Sequence, residues 1–123
     1  MNPVELYIYE KEGNQKQILE FLHFWILSSD AEIYPKLNYG IPFYYKKSWI
    51  CYLNSTNHGS VEIAFTRANE LMKKASLMEF GTRKQVAGIM ITDLASLPLE
   101  DLNTIMSEAL AIDESVKYSV KKK

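Results

Sequence analysis

Val61-Glu62-Ile63-Ala64-Phe65-Thr66 alternates with a period of two, placing Val61, Ile63 and Phe65 on one side of an extended chain and Glu62 and Thr66 on the other. Trp49-Ile50-Cys51-Tyr52-Leu53 repeats the pattern, with Trp49, Cys51 and Leu53 sharing a face. The polar loop Asn54 to Ser60 separates the two, so they read as neighbouring antiparallel strands with one packed face and one wetter face. Working outward, Val86 to Thr92 reads as the last strand, while Ile33 to Tyr39 and Phe43 to Lys47 read as two earlier ones joined by Gly40-Ile41-Pro42. The sheet therefore has about five strands. Asn69 to Lys74 reads as a helical turn in the one long connection.

On either side of this region the period becomes helical. Asn2 ahead of Pro3 is a capped helix start, and a helix over 3–11 puts Val4, Tyr7 and Ile8 on one face. A second helix over 15–29 gathers Ile18, Leu19, Phe21, Leu22, Trp25 and Ile26 on one arc, with His23 at its edge as a hydrogen-bonded packing residue. Phe24 and Leu27 fall outside that arc, which implies cover from the first helix or from another subunit. A closing helix over 98–112 aligns Leu99, Leu102, Ile105, Met106, Ala109 and Leu110. This order predicts a two-layer α+β fold, an antiparallel sheet with helices packed on one face.

The chain has 123 residues, of which 47% are hydrophobic and 24% charged, a composition that excludes disorder, collagen and coiled coil. The expectation is a single domain over 1–116 followed by a basic, disordered tail over 117–123. The lone Cys51 rules out an intrachain disulfide, and the first residues lack a signal-peptide pattern, so a cytoplasmic location is expected. Ile18 to Leu27, interrupted by Glu20 and His23, is too short to span a bilayer, so no membrane is expected.

Charge is segregated along the chain. Residues 1–35 carry six acids and two bases, residues 36–92 eight bases and three acids, and residues 93–116 six acids and no base. Such a molecule presents differently charged faces to its surroundings.

Catalytic signatures are missing: there is no glycine-rich phosphate loop, no paired Cys or His at zinc spacing, and no nucleophile elbow. Cys51, on a packed strand face, behaves as a small hydrophobe, and His58 belongs to a turn. No cofactor is evident. The carboxylates do not form a closed cation site: Asp101 and Glu108 lie about 10.5 Å apart along a helix axis, and Glu10 and Glu12 point different ways.

Seven of the fifteen aromatic residues lie between Tyr34 and Tyr52, and alternation sends Tyr44 and Tyr45 to opposite sides of the sheet. Aromatic surface is left over. Tyr34, Tyr39, Tyr44, Tyr45, Trp49 and Arg67 are the candidate interaction surface, with a second copy in a homodimer or an acidic protein as the partner. An isoelectric point near 6.1 argues against nucleic acid.

Leu37-Asn38-Tyr39-Gly40-Ile41-Pro42-Phe43 contains an aromatic-Gly-apolar-Pro turn, and with Trp49 to Leu53, Val61 to Arg67, Arg83-Lys84-Gln85-Val86 and Leu97-Pro98-Leu99 it resembles the YdhG-like family of small bacterial domains over about residues 3–112. The resemblance implies a frataxin-like α+β fold and, through a family member described as an iron chaperone, iron handling for iron-sulfur cluster or haem assembly. The acidic end segments place any iron binding at the carboxylates of the helices, Glu5, Glu10, Glu12, Glu100 and Asp101. The chain departs from the family in having Asn57-His58-Gly59-Ser60 where relatives carry a Lys-aromatic-x-His stretch, and in lacking a dense acidic ridge on the first helix. The reading is thus a non-catalytic binding or interaction protein. Iron handling is the alternative, and an enzyme with an unrecognised pocket is the third.

Overall fold

Asn2 caps helix α1 (Pro3–Tyr9): its side chain accepts the Glu5 backbone N–H at 2.8 Å while the Glu5 carboxylate accepts the Asn2 N–H at 3.2 Å. This reciprocal box, with Pro3 at the first helical position, pins the helix start and leaves Val4 and Ile8 to be buried. The computed structural model describes residues 1–72 and 75–115, except for the side chain of Ala75. The tail expected over 117–123 lies outside the described residues, as do Lys73 and Lys74 at the end of the expected helical turn.

Helix α2 (Gly13–Ser29) begins two residues earlier than its periodicity indicated and buries Ile18, Leu19, Leu22, Trp25 and Ile26. Leu27 packs against the core, but Phe24 stays 70% exposed, so α1 does not supply the cover expected there. Helix α3 (Leu99–Ser115) runs three residues past the expected end and buries Leu102, Ile105, Met106 and Asp113. The indole N–H of Trp25 donates to Asn103 Oδ1 at 2.8 Å and ties α2 to α3. No described helix is long and apolar enough to cross a membrane.

Five strands, β1 (Tyr34–Asn38), β2 (Ile41–Tyr45), β3 (Trp49–Ser55), β4 (Val61–Phe65) and β5 (Ala87–Ile91), pair antiparallel in chain order. The fold is α+β. The expected alternation holds in β4, where Val61, Ile63 and Phe65 enter the core with Cys51, Leu53, Ala87 and Ile91 and pack against all three helices. Between β4 and β5 the chain makes short 3₁₀ turns at Ala68–Glu70 and Ala75–Leu77, and Glu79 then bridges to Gly88. The first hairpin turns at Tyr39-Gly40 rather than at Gly40-Ile41-Pro42, because both residues take positive φ, +53° and +78°, the geometry that matches strand twist in a two-residue turn. Ile41 and Pro42 consequently belong to β2.

Candidate binding groove on the helix-free face

Tyr44 pairs with Cys51, but the next residue, Tyr45, pairs with Trp49, so Ile50 is an extra residue on β3 and forms a β-bulge. A bulge resets the parity of the strand. Ile50 joins Cys51 and Leu53 in the helix-side core, and Trp49 turns to the opposite face. This corrects the placement of Trp49 with Cys51 and Leu53, which assumed unbroken alternation. The Thr66 hydroxyl donates to the Trp49 carbonyl at 2.7 Å and holds the bulge in place.

The helix-free face carries a continuous layer of rings. Trp49 meets Phe43 and Tyr45 edge to face at 4.7 and 4.8 Å, Tyr34 stacks on Tyr45 at 5.5 Å, and Phe43 lies 4.8 Å from Tyr52. Tyr39 completes the layer from the hairpin tip, 5.9 Å from Phe43 and 6.5 Å from Trp49, with 84% of its surface exposed. Phe43 and Tyr45 are buried by these rings and not by the helices. The Asn38 amide donates to the Tyr45 hydroxyl at 3.2 Å.

Between this layer and the connection leading into β5 runs an open groove of about 600 Å³. Tyr39, Ile41, Phe43, Trp49 and Tyr52 line it with apolar and aromatic surface, and Asn54, Thr66, Arg67 and Gln85, with the aliphatic Val86, line the rest. Arg67 meets Glu70 through two parallel bonds of 2.7 and 2.8 Å, which raise its pKa further, and Ser48 also lines the groove. Beneath this end, the buried Asp113 carboxylate accepts the Lys47 and Ser48 backbone N–H groups and the Ser48 hydroxyl. Lys46 bridges Asp30 and Glu114, holding both carboxylates below their usual range, so the β2–β3 turn is clamped to the ends of α2 and α3.

A second cationic post stands beside Tyr52. Arg83 pairs with Glu62 at 2.8 Å and contacts the Tyr52 hydroxyl at 3.3 Å. Gly88 leaves room beneath that pair, since a Cβ there would push the Glu62 side chain from its place.

Of the candidate surface residues, Tyr34, Tyr39, Tyr45 and Trp49 share this face and Arg67 lines its groove. Tyr44 does not. It is fully buried on the helix side, where its hydroxyl hydrogen-bonds His23 Nδ1 at 2.8 Å, and burial pushes its pKa well above the ordinary value. Ile41, Phe43, Ser48, Tyr52, Asn54, Thr66, Gln85 and Val86 also line the site and lie outside the sequence-based set. Cys51 is fully buried, and desolvation raises its thiol pKa far above the range of a nucleophile.

The five carboxylates expected to take iron are not brought together. Glu5 is engaged in the α1 cap, Glu10 and Glu12 flank the α1–α2 junction, and Glu100 and Asp101 sit in the first turn of α3. Among the described residues, no group of three or more His, Cys, Asp or Glu side chains could hold a metal ion. No family model, curated protein or solved structure matches this chain.

Proposed function

We propose that this chain is a non-catalytic binding domain that takes an acidic protein partner in the aromatic groove of its helix-free face. The observation that carries this reading is the ring layer itself: aromatic side chains on a face that the helices leave uncovered, beside a groove of about 600 Å³. Pockets that hold ligands run about 300–1,000 Å³ and combine apolar walls with a few polar groups, as this one does. Residues 36–92, which include β2 to β5, carry eight bases against three acids, and Arg67 among them lines the groove, a charge balance that suits an acidic partner.

The non-catalytic part of the reading rests on the polar groups. The Ser48 hydroxyl donates to Asp113, a carboxylate already taken up by two backbone N–H groups. Iron handling, as implied by the YdhG-like resemblance, lacks a comparable gathering of donors among the described residues.

Sedimentation of the chain with and without a glutamate-rich peptide tests the proposal. The expected result is a monomer that binds the peptide, with affinity falling as salt rises. A dimer that Tyr39→Ser converts to monomer would assign the face to a second copy instead, and a monomer that ignores the peptide at millimolar concentration would refute the reading.

A further inference from the structure

Arg67 is the charged side chain among the described residues that line this groove. Its guanidinium is largely covered, with 12% of the side chain exposed, whereas the Glu70 carboxylate that meets it is 40% exposed at the end of the adjoining 3₁₀ turn. The two parallel bonds between them, 2.7 and 2.8 Å, are the fork geometry by which arginine recognises any carboxylate. The remaining guanidinium nitrogen, Nη1, lies 3.4 Å from Ser48 Oγ, which Asp113 holds in place. The cation is thus fixed from the protein side, while the carboxylate it holds stands on the solvent side.

We infer that Glu70 is an internal stand-in for the partner's carboxylate: the groove recognises an acidic segment bearing an aromatic side chain, which packs against Tyr39 and Trp49 while its neighbouring carboxylate takes Glu70's place on Arg67. The inference rests on the groove being the binding surface. Exchange of one carboxylate for another conserves the charge-assisted bonds. Of the two partners Glu70 is the more exposed, so its carboxylate is the one that an incoming carboxylate can replace. Arg83 is a poorer reader, because Glu62, its partner, is 14% exposed and is packed over Gly88.

The test is fluorescence anisotropy of the full chain with labelled Glu-Glu-Phe-Glu-Glu and its neutral counterpart Gln-Gln-Phe-Gln-Gln, for the wild type and for Glu70→Gln, Arg67→Leu, Arg67→Lys and Tyr39→Ser. Glu70→Gln is expected to tighten the acidic peptide about twofold to fivefold, the worth of the exposed pair it removes. The control Glu79→Gln, which alters net charge equally away from the groove, should not. Arg67→Leu is expected to weaken binding at least about tenfold, with Arg67→Lys between it and the wild type because it keeps the charge and loses the fork. If Arg67→Leu fails to fold by thermal melting, Arg67→Lys and Glu70→Gln decide the matter. Equal binding of both peptides, or loss of binding in Tyr39→Ser with no effect at positions 67 and 70, overturns the role of Arg67 while leaving the aromatic face as the binding surface. Failure of the acidic peptide to bind wild type and Glu70→Gln overturns both.

Discussion

The Trp49 ring lies 4.8 Å from that of Tyr45, edge to face, on the side of the sheet away from the helices. The contact exists because Ile50 is an extra residue in β3, so that Trp49, two positions from the buried Cys51, nonetheless faces the other way. The bulge connects the sequence to the candidate site, since without it the largest ring of the groove would point into the core.

Tyr44 and Tyr45 are adjacent but carry different loads. Tyr44→Ser removes a fully buried ring and leaves His23 Nδ1 without its partner, so it should cost about 3–5 kcal/mol, in the range of large aromatic truncations. Tyr45→Ser strips a ring that packs against Tyr34 and Trp49 on the other face and should cost about 1–3 kcal/mol. Urea unfolding of the two variants measures the difference, and equal losses would contradict the division into two faces.

Tyr39 should show stability and binding in opposition. At φ +53° it occupies a left-handed conformation that costs an ordinary residue about 1–2 kcal/mol and that asparagine adopts readily. With 84% of its surface exposed, the ring returns little to folding. Tyr39→Asn should therefore stabilise the fold by about 0.5–1 kcal/mol while weakening the acidic peptide. A destabilised variant would show that the ring is structural.

His23 sets an acid limit on stability. Burial lowers its folded-state pKa below 6.5, and the nearby Glu5 carboxylate opposes the shift without reversing it. The unfolded chain therefore takes up the proton first as pH falls. The contribution of neutral His23 is complete above about pH 6.5 and is lost progressively below it. Among the described residues, Glu5, Glu20, Tyr9, the amino group of Met1 and the Tyr44 hydroxyl are the ionisable groups around the imidazole. Urea midpoints between pH 8 and 5 should fall less steeply in His23→Gln than in the wild type, and parallel curves would remove His23 from the acid response.

Much of the architecture was legible in local pattern. Period-two alternation at Val61, Ile63 and Phe65 and the helical stripe through Leu102, Ile105 and Met106 each report a buried face directly. The site was legible only in part. Parity assigns opposite faces to Tyr44 and Tyr45 but does not say which face lies beneath helices, so buried Tyr44 was grouped with surface rings. The bulge at Ile50 is a register event between two strands, invisible in either strand read alone. Thr66 and Gln85 join Arg67 at the groove through the return of the chain between β4 and β5, a tertiary juxtaposition with no sequence period.

The central claim, that the aromatic groove is the binding surface, is tested most directly by the two indole N–H signals in a nuclear magnetic resonance titration with Glu-Glu-Phe-Glu-Glu. Trp49 lines the groove, whereas the Trp25 indole is bonded to Asn103 between α2 and α3 on the other side of the sheet. The account expects the Trp49 signal to move with peptide concentration, less so at high salt, while the Trp25 signal stays in place. Movement of Trp25 alone, or of neither signal at millimolar peptide, would contradict it.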